Sequence, residues 1–109
     1  MNRKELKQSY KDAPSTAGVY LIRNQNTGMI LMQSAKNPKG IINRHIFELK
    51  YGQHRNAQLQ QDWNSFGENA FEFSIIKTVK PDELNINNAL DEMLAKCREE
   101  FSVTEDNSY

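Results

Sequence analysis

Alternating apolar and polar positions divide part of this chain into predicted β-strands. Residues 19–22 are apolar on both alternating faces, as expected for a strand that is covered on two sides. Residues 29–32 follow a turn rich in Asn and Gly, and they predict the partner strand of a hairpin. Phe71, Phe73 and Ile75 alternate with polar residues and predict a half-buried third strand.

Helical spacing of apolar residues predicts three further elements. Ile42, Ile46 and Leu49 form one helical stripe, and Gly52 marks the end of that helix. Asn56 is the predicted N-cap of a second helix, whose stripe consists of Leu59, Trp63 and Phe66. A last helix is predicted to begin at residues 81–83, with an apolar face made of Leu90, Met93, Leu94, Cys97 and Phe101. The pattern therefore predicts an α+β domain, with a small three-stranded, mainly antiparallel sheet flanked by helices.

Length and composition indicate one soluble globular domain. The chain has 109 residues, of which 38% are hydrophobic and 26% charged. We expect the domain to span residues 18–101, after an N-terminal arm or short helix over 1–17 and before a flexible tail over 102–109. The single Cys97 excludes an internal disulfide and a multi-cysteine metal cluster. Because no apolar run approaches the roughly 20 residues of a membrane span, and the first residues lack a signal-peptide core, a cytoplasmic protein without a membrane partner is expected.

The net charge of zero conceals a division between the two halves of the chain. Residues 1–55 hold ten Lys and Arg against three Asp and Glu, a net charge of +7. Residues 56–109 hold four against eleven, a net charge of −7. Two interpretations stay open, mutual compensation between solvated faces or a positive side that faces phosphate groups.

The order of motifs between residues 18 and 77 resembles the GIY-YIG nuclease superfamily. The shared features are Gly18-Val19-Tyr20 at the first strand, His45 in the first helix, a Gly-x-His-x-Asn turn at 52–56 and a Leu-Gln-x-x-Trp helix at 59–63. In that family a small sheet presents two tyrosines, and a helix presents an arginine, to a scissile phosphodiester. The resemblance implies a GIY-YIG-like domain whose ligand is a phosphodiester.

The resemblance also implies which side chains act on the phosphodiester and which are missing. Tyr20 takes the place of the first tyrosine, which can accept or relay a proton, and His45 matches a histidine that contacts phosphate or polarises water. Leu31 stands where the second tyrosine is expected, and Ile41 stands where the arginine is expected. Arg44, one turn later on nearly the same face, is the candidate replacement. For Tyr20 and His45 a purely structural role is the alternative, and for Arg44 the alternative is a solvent-exposed arginine on the helix surface.

A glutamate on the last helix holds one divalent metal ion in the family. Asn88 falls at that position if no gap is allowed, whereas a short insertion moves Asp91 or Glu92 into it. Glu92 is the predicted ligand because a carboxylate suits a hard cation such as Mg²⁺. The competing interpretation is an ordinary acidic helix surface. We expect Mg²⁺ or another divalent metal if the domain is active, and otherwise no cofactor.

Basic residues in the first half of the chain are the predicted contacts with nucleic acid, namely Lys36, Lys39, Lys50, His54 and Arg55. The leading interpretation is an endonuclease-like domain that is catalytically impaired and binds the phosphate backbone of nucleic acid, DNA in particular. One alternative is an active DNA endonuclease that depends on a divalent metal. A second is a protein-interaction module, which the near-neutral pI of 6.7 favours. The pattern leaves the oligomeric state open.

Overall fold

Three strands, three α-helices and two short 3-10 helices (Glu68–Ala70 and Glu105–Asn107) form in the described part of the chain, which is residues 16–80 and 83–109 of a computed structural model. The strands are β1 (Gly18–Asn24), β2 (Ile30–Ala35) and β3 (Phe71–Thr78). The helices are α1 (Pro38–Lys50), α2 (Ala57–Phe66) and α3 (Ile86–Glu100). The predicted α+β class is confirmed. Residues 1–15 of the predicted N-terminal arm lie outside the described residues.

β1 is the central strand of the sheet, and it pairs in antiparallel fashion with β2 on one side and β3 on the other. Gly18 lies where β1 and β3 come too close for a side chain, because a Cβ atom would overlap the carbonyl oxygen of Lys77. The register between the two strands shifts after this point. Val19 pairs with Lys77 and Tyr20 pairs with Ile75, which leaves one extra residue in β3 as a bulge.

Helices cover both faces of the sheet. The face that meets α1 and α2 buries Tyr20, Ile22, Leu31, Ile42, Leu49, Leu59, Trp63 and Phe71. The face that meets α3 buries Val19, Leu21, Ile30, Met32 and Cys97. β1 contributes alternately to the two cores, which confirms the prediction of a strand covered on both sides. Among the described helices, none is long and apolar enough to cross a membrane.

Helix ends follow the local sequence, with one correction. Asn56 caps α2 as predicted, since its side-chain oxygen accepts a backbone N–H at 3.0 Å. Gly52 follows α1 with a φ of 69°, a conformation that favours glycine. The last helix begins at Ile86; of its predicted start at 81–83, residues 81 and 82 lie outside the described residues and Glu83 is not helical. Its N-cap is Asn85, whose side chain accepts the N–H of Asn88, so an asparagine cap further along the chain defines the start.

The C-terminal segment differs from the free, flexible tail that its polar composition predicts. Residues 102–109 return to the outer edge of β2, where the N–H of Tyr109 donates to the carbonyl oxygen of Ile30 at 3.0 Å. Ser108 forms an isolated parallel bridge with the same residue. The ring of Tyr109 packs against the core on the α1 and α2 face. One aromatic side chain and a few backbone hydrogen bonds are therefore enough to hold a polar segment in place.

Candidate functional site

A cleft of about 510 Å³ lies between the sheet, α1 and the loop that joins α1 to α2. Tyr20, only 3% exposed, belongs to its β1 wall. α1 presents Ile41, Arg44, His45 and Glu48 to the cleft, because residues three and four apart lie on one face of a helix. The rest of the lining comes from β2, the loop and the C-terminus: Leu31, Gln33, Ser34, Ala35, His54, Arg55, Asn56 and Tyr109.

Hydrogen bonds connect Tyr20 to the loop through two histidines. The Tyr20 hydroxyl lies 2.9 Å from Nε2 of His45, and Nδ1 of His45 lies 2.7 Å from Nε2 of His54. The backbone N–H of Asn56 donates to Nδ1 of His54 at 2.9 Å. The planes of the two imidazole rings are inclined by 24°, with centroids 4.9 Å apart. We call these groups the cleft network: Tyr20, His45, His54 and the backbone N–H of Asn56.

The backbone N–H at the end of the cleft network determines the direction of every hydrogen bond in it. Because Asn56 can only donate, Nδ1 of His54 must accept, and the neutral ring carries its proton on Nε2. That proton is donated to Nδ1 of His45, which places the proton of His45 on Nε2. Nε2 of His45 then donates to the oxygen of Tyr20. The hydroxyl proton of Tyr20 is left over, and it can be donated to a ligand in the cleft.

The pKa values of the cleft network agree with neutral rings and a neutral phenol. Burial, followed by the neighbouring His54, lowers the pKa of His45 to about 4. Burial also lowers the pKa of His54 below its usual value. Burial raises the pKa of Tyr20 to about 12, although the positive charge of Arg55 acts in the opposite direction. Near neutral pH, Tyr20 is therefore a hydrogen-bond donor and not a phenolate.

Gln60 fixes the loop that carries His54. Its side-chain oxygen accepts the backbone N–H of His54 at 3.0 Å, and its side-chain nitrogen donates to the carbonyl oxygen of Leu49 at 3.1 Å. The end of α1 and the start of α2 are thereby joined through one amide. Gln60 belongs to the Leu-Gln-x-x-Trp segment, but the sequence pattern gave it no structural role.

The structure brings five of the predicted site residues to the cleft: Tyr20, Arg44, His45, His54 and Arg55. Arg44 and Arg55 are exposed on its walls, and Nε of Arg44 lies 3.3 Å from a carboxylate oxygen of Glu48. Glu48 was not predicted, although it follows His45 by three residues on the same helix face. The predicted contacts Lys36, Lys39 and Lys50 are exposed and do not line the cleft.

Glu92, the predicted metal ligand, is not brought to the cleft. It lies on α3, where it lines a separate cavity together with Lys77, Met93 and Lys96. Its neighbour Asp91 is exposed on the same helix. Because α3 covers the face of the sheet opposite Tyr20, neither carboxylate can share a metal with the cleft network in this arrangement. The insertion assumed in the sequence comparison therefore does not bring a carboxylate to the cleft.

A second candidate for metal binding is the cluster of His45, Glu48 and His54, whose ligand atoms all lie within 4.8 Å of one another. A metal needs a lone pair from each imidazole. Nε2 of His54 carries a proton, since its Nδ1 accepts the N–H of Asn56, and that proton lies between the two rings. Mg²⁺ prefers oxygen ligands, and Glu48 is the one side-chain carboxylate among the described residues lining the cleft. The residues present do not fit a metal ion while the cleft network is formed.

A second buried network lies further along the same face of the sheet. The hydroxyl of Tyr109 donates to Asp62 at 2.7 Å and accepts the side-chain N–H of Asn24 at 3.1 Å. Gln58 donates to the other carboxylate oxygen of Asp62 at 3.0 Å. Burial, reinforced by Asp62, raises the pKa of Tyr109 to about 12. We call Asn24, Asp62 and Tyr109 the tail network. The one sequence signal for it is Asp62 itself, a charged residue within the apolar stripe of α2.

Two solved structures of the I-TevI catalytic domain are similar to this chain. One, of the catalytic domain of homing endonuclease I-TevI, is 29% identical over 85% of this chain and 95% of its own length, with a TM-score of 0.65. The other, of the intron endonuclease I-TevI with one glutamate replaced by alanine, is 29% identical over 86% of this chain and 91% of its own, with a TM-score of 0.66. No protein-family model and no curated protein matches the chain.

These similarities confirm the resemblance that the motifs indicate. The order of strands and helices, the cleft beside Tyr20 and the match over most of both chains define a nuclease-like α+β domain. The chain has the GIY-YIG-like fold of the I-TevI catalytic domain.

Proposed function

We propose that this domain binds the phosphate backbone of nucleic acid, DNA in particular, in the cleft beside Tyr20, and that its capacity to cleave is impaired. The observation that carries the proposal is the direction of the cleft network. The N–H of Asn56 orders the protons of both histidines, and Tyr20 is left with one proton to donate. A phosphate oxygen is a strong acceptor for such a donor.

Binding follows from the groups around this donor. A phosphate oxygen that accepts from Tyr20 lies between the walls that carry Arg44 and Arg55. A hydrogen bond to a charged group contributes about 1.5–3 kcal/mol, and each arginine adds an attraction that weakens with salt. These contacts read phosphate and not base edges, so they supply affinity without sequence preference.

Impaired cleavage follows from what the same cleft lacks. Leu31 and Ile41 line it at the positions where the resemblance implies a tyrosine and an arginine. Each group of that kind accounts for a rate factor on the order of 10² or more, because it stabilises charge that develops in the transition state. Tyr20, with a pKa of about 12, is also a poor proton acceptor near neutral pH.

Fluorescence anisotropy with a labelled DNA duplex tests the binding half of the proposal. Affinity should fall steeply between roughly 50 and 200 mM salt, because phosphate contacts release counterions. Arg55→Ala should weaken binding and reduce the slope against log salt by about one. Lys96→Ala is the matched control, since Lys96 is an exposed cation on α3, away from the cleft. A salt-independent affinity, or equal losses in both variants, would contradict binding in the cleft.

An active nuclease is the second candidate, and the description of both similar structures as endonucleases favours it. Nicking of supercoiled plasmid with Mg²⁺ or Mn²⁺ distinguishes the two, with EDTA and Tyr20→Phe as controls. The proposal predicts no product above the EDTA control. Plasmid nicking that disappears both with EDTA and in Tyr20→Phe would overturn the proposed impairment of cleavage and leave the proposed binding site in place. If no DNA binds even at low salt, the protein-interaction module becomes the better interpretation.

A further inference from the structure

Two large aromatic side chains, one in the last turns of α1 and one at its C-cap, are exposed side by side. Phe47 is 61% exposed and Tyr51 is 66% exposed, and their ring centroids lie 4.6 Å apart with the planes inclined by 44°. They follow one another by four residues, so they form one continuous surface along the helix and its C-cap. Their exposure leaves ring surface available to a flat partner.

Two basic side chains flank this aromatic pair, and one of them connects the pair to the cleft. Arg44 precedes Phe47 by three residues and is therefore its neighbour on the helix surface, and Arg44 also lines the cleft. Lys50, three residues after Phe47, is exposed on the other side of the pair. The two rings thus lie between two cations, one of which belongs to the cleft wall.

We propose that Phe47 and Tyr51 form a stacking platform for unpaired bases of the strand whose phosphate the cleft holds. This inference rests on the proposed function and adds the class of nucleic acid, one with a single-stranded segment. Every base has a face that can stack on an exposed ring, whereas in an intact duplex those faces are covered by neighbouring bases. The charge on both sides of the pair fits a polyanion.

The spacing along α1 agrees with a short stretch of single strand. At a rise of about 1.5 Å per residue, Phe47 and Tyr51 lie about 4.5 and 10.5 Å beyond Arg44 along the helix axis. Stacked nucleotides of one strand are separated by about 3.4 Å. A strand held at the cleft wall can therefore place a base on either ring within a few nucleotides.

Anisotropy with a labelled single-stranded oligonucleotide and with the duplex of the same sequence tests this inference. The double variant Phe47→Ala, Tyr51→Ala should bind the single strand about tenfold more weakly if one ring holds a base and about a hundredfold more weakly if both do, because each stacked base contributes about tenfold or more. Its affinity for the duplex should change by less than about twofold. Phe66→Ala, which removes an exposed ring on α2 outside the cleft lining, is the matched control and should change neither affinity.

A strand with abasic sites locates the effect on the bases. The wild-type protein should bind the abasic strand more weakly than the intact strand. The double variant should bind the two strands equally well. If the double variant binds the single strand as well as the wild type does, while Arg55→Ala still weakens single-strand binding, the platform is overturned and the proposed function stays intact. Equal binding by Arg55→Ala and wild type would overturn the proposed function instead. A double variant that loses folding stability or changes its elution volume would assign the rings to packing or to a protein interface, which also overturns the platform.

Discussion

The cleft network and the tail network lie on the same face of one sheet, and each contains a tyrosine, which is buried in the cleft network and partly buried in the tail network. In the tail network the hydroxyl of Tyr109 both donates to Asp62 and accepts from Asn24, so its capacity is used. In the cleft network the oxygen of Tyr20 accepts from His45, and its proton has no partner within the network. Four residues, or about 13 Å of β1, separate Tyr20 from Asn24.

The difference separates a structural use of buried polar groups from a functional one. A buried group whose partners are all within the protein stabilises the fold, and any lost partner has a cost. A group with one proton left over, beside a cleft and two arginines, is prepared for a ligand. The comparison predicts that damage to the tail network lowers stability, whereas damage to the cleft network lowers binding.

The largest stability effect is expected for Asn24→Ala. Asn24 is fully buried, its oxygen accepts the backbone N–H of Asn26 at 2.9 Å, and its nitrogen donates to Tyr109. Loss of these bonds should cost about 3 kcal/mol, because buried groups on both sides lose partners. Urea unfolding measures this change. Asn26→Ala, at an exposed turn position, is the matched control and should change the free energy of unfolding by close to zero. Similar losses of stability in the two variants would refute the structural role of the tail network.

A smaller stability effect is expected for Tyr109→Phe. The change removes only the hydroxyl, so one carboxylate oxygen of Asp62 loses its donor and the side-chain N–H of Asn24 loses its acceptor, at a cost of about 1–2 kcal/mol. Although Tyr109 also lines the cleft, DNA affinity of the folded protein should change by less than about twofold, because the hydroxyl that is removed is bonded to Asp62 and Asn24. Urea unfolding and anisotropy on one sample give both quantities. A loss of DNA affinity without a loss of stability would reverse the assignment of the two networks.

The pH dependence of folding stability should depend on His45 of the cleft network. The pKa of His45 is lowered from 6.5 to about 4 by burial, so the unfolded chain binds a proton that the folded protein does not bind between these values. The folding stability that depends on a neutral His45 is fully present above pH 6.5 and is lost as the pH falls towards 4. Urea midpoints across this range should decline for the wild type and decline less for His45→Gln. Equal declines of the urea midpoint in both proteins would mean that the protonation of carboxylates alone causes the loss of stability.

Much of the fold was predictable because local patterns determine it. Residues 19–22 already showed a strand covered on two faces, and Asn56 showed the start of α2. The start of α3 was misplaced because the prediction relied on Pro81 as a first helical residue, whereas Asn85 caps the helix. The docking of Tyr109 could not be foreseen, since its partners Asn24 and Asp62 lie 85 and 47 residues away.

The candidate site was predictable in its residue types more than in its arrangement. Motif spacing identified Tyr20, His45 and His54, which the structure brings together. It could not give the direction of their hydrogen bonds, because that depends on one backbone N–H beside His54. It also favoured Glu92, because a pattern on one helix does not say which face of the sheet the helix covers.

The most direct test is the DNA affinity of Tyr20→Phe beside that of the wild type, measured by anisotropy at one low salt concentration. The variant keeps the ring and loses the hydroxyl, which accepts from His45 and carries the leftover proton. We predict that it binds about tenfold to a hundredfold more weakly, as expected for a hydrogen bond to a charged group. Its far-ultraviolet spectrum should match that of the wild type. Equal affinities for DNA would contradict the claim that the leftover proton of Tyr20 binds phosphate.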